Sequence, residues 1–174
     1  MKKNSHIRPV RIADAARLAE IYNYYIVNTT VTLELEPITA DEMARRISEI
    51  SSSHPYFVYE EDGKILGYTY AHPWKTRAGY QGHSLETTIY LDVEARHKGI
   101  GRLLVQHLEE ECGKAGYHVL IANATDENKD SLAMHERLGF KQVAHYEEVG
   151  RKFDRWIGIN SFEKKLAQSD KKDS

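Results

Sequence analysis

The sequence is poor in the features that mark secreted, membrane and disulfide-stabilised proteins. Its 174 residues include one cysteine, Cys112, so no disulfide can form within the chain. The opening MKKNSHIRPV lacks the apolar run of a secretory signal, and no stretch approaches the ~18 apolar residues that a membrane span needs. The formal net charge of -2 lacks the positive excess typical of proteins that bind nucleic acids or membrane surfaces. We therefore expect a cytoplasmic protein without nucleic-acid or membrane partners.

A metal site is not expected either. The nine histidines are scattered along the chain, there is no H-E-x-x-H motif, and Cys112 has no second cysteine beside it. Cys112 follows Leu104 and Leu108 at four-residue spacing, which puts all three on one face of a helix. The pattern predicts a core cysteine rather than a nucleophile that would carry an acetyl group.

What the sequence does contain is typical of one globular domain. Hydrophobic residues make up 41% and charged residues 29% of the chain. Residues 5–166 contain no repeat and no low-complexity segment, whereas the ending AQSDKKDS is polar. The prediction is a single domain over residues 1–166 and a disordered polar tail over residues 167–174.

Periodicity and turn signals predict the element order β-α-α-β-β-β-α-β-α-β-β. Asp14 can cap the first helix, the box Thr39-Ala-Asp-Glu42 starts the second, and Asp62-Gly63 is a hairpin turn. The predicted strands are residues 6–11, 56–59, 65–72, 85–93, 119–124, 140–149 and 156–162. The third helix is predicted to end near residue 115, and the fourth to span residues 128–138. This order predicts an α/β domain with a mixed sheet and helices on both faces.

The segment RHKGIGR, residues 96–102, joins a strand to a helix. Free N–H groups at a helix start form an anion site, and glycine lets a phosphate approach the backbone. The segment lacks the G-x-x-x-x-G-K-[ST] motif of a P-loop, and Leu104 stands where a dinucleotide fingerprint needs its third glycine. Two interpretations of the segment remain. It is either an R-x-x-G-x-G loop that binds a pyrophosphate or a strand-to-helix turn with solvated basic residues.

Two further stretches carry chemistry. Glu86 lies in the otherwise uncharged strand segment LETTIYL, either as a general base that takes a proton from an amine or as a strand-end glutamate without a catalytic role. The preceding loop PWKTRAGYQGH, residues 73–83, is either a site for an anionic group or a solvated basic loop. Asn128 can cap a helix, and Tyr22 and Tyr25 fit a helix core better than a binding site.

The combination VEARHKGIGRLL and ENKDSLAMHERLGF resembles the GNAT superfamily of N-acetyltransferases. Several other stretches look like its phosphinothricin and methionine sulfoximine acetyltransferase subfamily. These stretches are IYNYYIVNTTVTLELEPIT, GYTYAHPWKTRAGY, LETTIYLD, NATDENKDSLAMHERLGF and VGRKFDRW. The resemblance spans residues 7 to about 164 and implies the GNAT fold, with a mixed central sheet between helices.

The resemblance implies acetyl-CoA as cosubstrate, with its pyrophosphate on the glycine loop and its pantetheine arm along the preceding strand. The residues expected to bind it are Tyr90, Leu91, Val93, Arg96, His97, Lys98, Gly99, Ile100, Gly101, Arg102, Asn128 and Ser131. Glu86 is then the general base, and direct attack by an amine is expected. His135 occupies a position where many superfamily members carry a tyrosine, so it is either the acid for the departing thiolate or a packing residue.

The resemblance further implies a small amino-acid-like acceptor such as methionine sulfoximine, methionine sulfone or phosphinothricin. The residues expected to bind it are Lys75, Thr76, Arg77, Tyr80, Leu85 and Thr87, with the loop over residues 29–36 as another wall. A homodimer through the C-terminal strands is also implied. Two alternatives remain open: an acetyltransferase for another amine, such as a protein N-terminus or a polyamine, and a non-enzymatic acyl-CoA sensor.

Overall fold

The computed structural model describes residues 4–167, and the order of its elements confirms the predicted one. The strands are β1 (Ser5–Pro9), β2 (Tyr56–Glu61), β3 (Lys64–Pro73), β4 (Ser84–Leu91), β5 (Val119–Thr125), β6 (Lys141–Lys152) and β7 (Arg155–Lys165). The helices are α1 (Ala15–Asn28), α2 (Ala40–Ser51), α3 (Ile100–Lys114) and α4 (Lys129–Arg137). Of the predicted tail, only residue 167 lies within the described residues.

Local signals explain most of these boundaries. Thr39 caps α2, since its side-chain oxygen accepts a hydrogen bond from the N–H of Glu42 at 3.1 Å. Asp62 and Gly63 both have positive φ, as a tight hairpin turn requires. Asp14 was expected to cap α1 but does not. Its carboxylate instead accepts hydrogen bonds from the Arg8 guanidinium at 2.9 and 3.0 Å, so an ion pair replaces the cap.

The seven strands form one mixed sheet in the order β1-β2-β3-β4-β5-β7-β6. In this sheet β4 and β5 are parallel neighbours, whereas the other paired strands are antiparallel. The two parallel strands pair only from Ser84–Val119 to Thr87–Ala122. Both strands continue beyond that last pair, so the sheet opens between them. This opening positions the candidate site.

Hydrophobic cores on the two faces of the sheet hold the opening in place. On one face α1 and α2 pack against β2 and β3 through residues that include Leu18, Ile26, Ile47, Val58 and Tyr68. On the other face α3 packs against β4, β5 and β7 through residues that include Leu85, Leu108, Leu120 and Phe162. All nine side chains are nearly inaccessible, and burying each stabilises the fold by about 1.5–3 kcal/mol.

Cys112 lies in the second of these cores, as its spacing predicted. Burial raises the pKa of its thiol to about 12, so the thiolate that a covalent acetyl-cysteine step would need is not formed at neutral pH. No helix within residues 4–167 is long and apolar enough to cross a membrane.

Candidate active site

A cleft of about 210 Å³ fills the opening between β4 and β5. Its walls come from the second half of β4, the end of β5, the start of α4 and the segment Val31–Leu33 between α1 and α2. The predicted site residues that line it are Glu86, Thr87, Tyr90, Asn128, Ser131 and His135. The cleft therefore brings together predicted site residues from two sequence stretches, LETTIYLD and NATDENKDSLAMHERLGF.

Unpaired backbone N–H groups face into this cleft. The N–H of Asp92 donates a hydrogen bond to the carbonyl oxygen of Leu66 on β3 at 2.8 Å. The carbonyl oxygen of Thr88 accepts one from the hydroxyl of Thr69, also on β3, at 2.8 Å. Backbone groups of successive strand residues point to opposite sides, so the N–H groups of Ile89 and Leu91 point toward β5. Because β5 has already diverged at this level, these two donors are available to an extended ligand or to a developing negative charge.

Glu86 stands beside the last paired part of the two strands. It is half-buried, and Nδ2 of Asn123 on β5 donates a hydrogen bond to its Oε1 at 2.9 Å. Ser161 on β7 donates to the side-chain oxygen of Asn123 at 2.5 Å, which turns the amide nitrogen of Asn123 toward Glu86. The carboxylate is thus held at the cleft surface by neighbours on one side and remains open on the other.

The glycine loop lies at the N-terminus of α3. Gly99 caps this helix with a left-handed φ of 80°, and no atom lies within 4 Å of the position a Cβ would take there. Gly101 has a different role, because its Cβ would approach the sulfur of Met134 to 3.1 Å. The free N–H groups of the first turn of α3 therefore face open space over Gly99, as a diphosphate group would require.

Basic residues surround the open side of this loop. Arg96 donates a hydrogen bond to the hydroxyl of Tyr25 at 3.3 Å, and its guanidinium lies 5.8 Å and 5.2 Å from the ring centres of Tyr24 and Tyr25. His97, Lys98 and Arg102 are exposed. Positive charge therefore accumulates around the free N–H groups of this helix start.

Two polar groups of the cleft lie at the end of β5 and the start of α4. Asn128 caps α4, since its side-chain oxygen accepts from the N–H of Ser131 at 3.3 Å. The hydroxyl of Thr125 is buried without a hydrogen-bond partner, although Thr125 lines the cleft. A buried hydroxyl is costly to leave unpaired, so this group suits a polar ligand in the cleft.

His135 lies at the floor of the cleft with a side chain that is almost fully buried. Its Nδ1 is 2.8 Å from the carbonyl oxygen of Ser131, and since a carbonyl only accepts, Nδ1 carries the proton. Burial lowers the pKa of the imidazole, which leaves Nε2 without a proton at neutral pH. The ring also stacks on Phe162 and meets Phe140 edge to face. This geometry favours the packing interpretation of His135 over the acid.

The candidate acceptor loop, residues 74–83, leaves the sheet beside Glu86, because the pair His72–Glu86 is followed by Pro73–Leu85 at the strand ends. Lys75, Thr76, Arg77 and Tyr80 are exposed on it. Among the described residues Arg77 has no hydrogen bond, ion pair or ring contact to another side chain, so its guanidinium is free to take a ligand.

The structure places Leu85 differently from Thr87. Leu85 is 1% exposed and packs in the core under α3, so its side chain does not reach the cleft. The expectation that the side chain of Leu85 binds the acceptor is therefore corrected. Thr87 lines the cleft, and its hydroxyl donates to the carbonyl of Ile121 at 3.3 Å. Tyr22 and Tyr25 belong to the core, as predicted.

Several cleft residues were not predicted from sequence. They are Thr88, Ile89, Asn123, Ala124, Thr125 and Ile159. The segment Val31–Leu33 falls within the wall expected over residues 29–36. Within residues 4–167 no group of three or more histidine, cysteine or carboxylate side chains is arranged to hold a metal ion.

Comparison with known proteins identifies the architecture. Residues 7–160 match the family described as acetyltransferase (GNAT) domain. The chain is 32% identical to the L-amino acid N-acyltransferase MnaT of Escherichia coli, over 97% of this chain and 98% of the relative. It is 30% identical to the L-methionine sulfoximine/L-methionine sulfone acetyltransferase of Salmonella typhimurium, over 88% of this chain and 90% of the relative.

A solved structure agrees with these sequences. The phosphinothricin acetyltransferase of Sinorhizobium meliloti, in complex with acetyl-CoA, superposes with a TM-score of 0.90 at 32% identity. The superposition covers 98% of this chain and 93% of that one.

Proposed function

The chain belongs to the GNAT acetyltransferases and uses acetyl-CoA; from this premise we propose that it acetylates the amino group of a small amino-acid-like acceptor. The acceptors proposed are of the methionine sulfoximine, methionine sulfone or phosphinothricin type, which the names of similar proteins support. The observation that carries the proposal is the half-buried carboxylate of Glu86, beside the opening between β4 and β5 and next to the loop that bears Arg77.

The reaction proposed is direct transfer in a ternary complex. The glycine loop Arg96–Arg102 holds the pyrophosphate, and the thioester lies in the cleft between β4 and β5. Glu86 takes a proton from the acceptor's ammonium group, and the free amine attacks the carbonyl carbon of the thioester. Negative charge then grows on the carbonyl oxygen, where the N–H groups of Ile89 and Leu91 can stabilise it. The carbon–sulfur bond breaks, and CoA leaves as a thiolate that takes up the second proton lost by the acylated nitrogen.

The cleft's own residues favour direct attack over a covalent intermediate. Burial raises the pKa of the thiol of Cys112 to about 12, and this side chain lies in the core rather than in the cleft. The second expected catalytic residue, His135, is proposed to hold the first turn of α4 through the carbonyl of Ser131. In that role it positions Ser131 and Asn128, which are proposed to bind the coenzyme arm.

The proposed function is tested by CoA release across a panel of amines at fixed acetyl-CoA concentration. The panel compares methionine sulfone, methionine sulfoximine and phosphinothricin with a polyamine, a peptide with a free N-terminus and an amine that lacks a carboxylate. We expect release with the amino-acid-like compounds and little with the other three. Preference for the polyamine or the peptide would contradict the acceptor class, and no release with any amine would favour an acyl-CoA sensor.

Arg77 is proposed to bind the acceptor's anionic group. Its guanidinium has no side-chain partner among the described residues, and it can grip a carboxylate or phosphinate with two parallel hydrogen bonds. We expect Arg77→Ala to raise the KM for the acceptor about 10- to 100-fold and to leave the KM for acetyl-CoA unchanged. Arg137→Ala, which removes an exposed arginine of α4, is the control for charge. A parallel rise in both KM values would remove Arg77 from the acceptor site.

A homodimer through the C-terminal strands is also proposed. β6 is an edge of the sheet, and the β6–β7 hairpin exposes five large apolar side chains, Val143, Tyr146, Val149, Phe153 and Trp156, each to at least 50%. We expect light scattering to give the mass of two chains for the wild type and of one chain for Trp156→Glu. Ile12→Glu, at an exposed position near the other sheet edge, should remain dimeric. A single-chain mass for the wild type would contradict this proposal.

The reaction is proposed to take place in the cytoplasm, in keeping with the single cysteine of the chain.

A further inference from the structure

The motif VGRKFDRW has no part in the reaction proposed above, yet it contacts the acceptor side of the cleft. Its first seven residues, 149–155, form the tip of the β6–β7 hairpin, which we call the hairpin tip. Phe153 and Asp154 make the turn, and both have positive φ (51° and 58°), as a tight two-residue hairpin turn requires. The tip reaches the segment Val31–Leu33, called here the pocket wall, which lines the cleft.

Lys152 makes the most buried of these contacts. The residue is 4% exposed, and its ammonium donates a hydrogen bond to the backbone carbonyl of Thr32 at 2.8 Å. Burial lowers the pKa of this ammonium, while the charge of Glu34 opposes the shift. A lysine is rarely buried unless a specific contact holds it, and here that contact is a backbone group of the pocket wall.

Gly150 makes the second contact. A Cβ at this position would lie 2.4 Å from Cδ1 of Leu33, which is closer than atoms can approach. The absence of a side chain at Gly150 therefore lets Leu33 of the pocket wall pack directly on β6. Because the blocking atom is the end of a flexible side chain, an added methyl group would displace Leu33 rather than the strand.

Arg155 makes the third contact through an intermediate carboxylate. Its guanidinium binds both oxygens of Glu127, at 3.1 and 2.6 Å. Glu127 in turn accepts a hydrogen bond from the hydroxyl of Thr30 at 2.7 Å, and Thr30 directly precedes the pocket wall. The three contacts hold consecutive parts of one segment from a single hairpin.

From these contacts we infer that the hairpin tip positions the pocket wall and so sets which acceptors fit, with Lys152 as the main positioning residue. This inference rests on the proposed function and, in line with the expectation for residues 29–36, takes Val31–Leu33 as a wall of the acceptor site. The same segment also contacts α1: the hydroxyl of Tyr22 lies 2.9 Å from that of Thr32. The pocket wall is therefore held by the hairpin tip and by α1.

The test combines Lys152→Met, which keeps the length of the side chain but removes the donor, with Lys141→Met as a control at an exposed position of the same strand. We expect Lys152→Met to raise the acceptor's KM about 10-fold, with kcat and the KM for acetyl-CoA within about twofold. Lys152→Arg, which retains donors, should recover part of the loss. A folded Lys152→Met with an unchanged acceptor KM, or with both KM values raised equally, would overturn the inference.

Gly150→Ala gives an independent test that does not remove the buried charge. Its methyl group should push Leu33 into the cleft, so the KM should rise more for a bulky acceptor than for a small one. An equal effect on acceptors of different size would contradict this role for Gly150. If Lys152→Met does not fold, the size dependence of the KM in Gly150→Ala tests the positioning role of the hairpin tip on its own.

Hydrogen exchange separates this inference from the proposed function, because it needs no substrate. In the ligand-free protein, amides of residues 29–36 should exchange about 10-fold faster in Lys152→Met than in the wild type or in Lys141→Met. Unchanged exchange would overturn the positioning role. A wild type that acetylates none of the acceptors would count against the proposed function and leave the exchange result as the test of the contact.

Discussion

Glu86→Gln should lower kcat about 10²- to 10³-fold near neutral pH while the protein stays folded and still binds acetyl-CoA. Glutamine has nearly the same shape and still accepts the hydrogen bond from Asn123, but it cannot take a proton from an ammonium group. General base catalysis contributes about 10²- to 10⁴-fold, and the lower part of that range fits an acceptor whose amine is partly deprotonated in solution. Steady-state CoA release with a saturating acceptor measures the effect.

The matched control is Glu110→Gln, which makes the same change at an exposed position of α3. It should leave kcat unchanged. The base assignment would be lost if Glu86→Gln kept wild-type kcat, or if its thermal stability fell so far that the loss of rate reflected unfolding.

Gly99→Val should raise the dissociation constant of acetyl-CoA about 100-fold. A valine at this left-handed position would be strained, at a cost of about 1–2 kcal/mol, and its side chain would fill the open space that is proposed to receive the diphosphate. Calorimetry with acetyl-CoA measures the change directly, without an acceptor.

Gly63→Val is the control for strain. Gly63 has the same φ of 80° and the same open surroundings as Gly99, but it lies in the turn between β2 and β3, away from the cleft. Both variants should lose similar stability, and only Gly99→Val should lose acetyl-CoA affinity. Equal affinities in the two variants would show that the space over Gly99 does not receive the diphosphate.

The order of elements could be predicted because local signals mark most boundaries in this chain. The N-cap at Thr39, the turn at Asp62-Gly63 and the glycine loop before α3 each act within a few residues, and each is found where the sequence puts it. The carboxylate of Glu42, the other half of the predicted capping box, binds Arg45 and Arg46. Asp14 shows the limit of such signals. Its carboxylate could cap a helix, but Arg8 on the preceding strand offers a stronger, charge-assisted pair.

Within the candidate site, sequence could identify residues whose type is unusual for their element. Glu86 stands out in an apolar strand, and the glycines stand out before a helix. Leu85 could have been assigned to the core from the alternation of strand side chains, because it faces the opposite side of β4 from Glu86. Arg77 stands out as part of a basic loop, although its freedom from partners could be seen only in the structure.

The rest of the site depends on where strands stop pairing, which no local pattern encodes. Ile89 matters because β5 diverges after Ala122 and leaves a backbone N–H open, whereas its side chain is ordinary for a strand. Asn123 is brought to Glu86 by parallel pairing across 37 residues of sequence. Lys152 reaches Thr32 across 120 residues. Contacts of this kind follow from the assembled sheet and not from any single element.

The central claim is that Glu86 takes the proton from an amine that attacks acetyl-CoA in the cleft between β4 and β5. The most direct test is the ratio of kcat/KM for the acceptor between wild type and Glu86→Gln, measured from about pH 6 to about pH 10. We expect a ratio that is large at low pH and falls toward one as the acceptor's amine loses its proton in solution and no longer needs a base. A ratio that stays the same at every pH would contradict it.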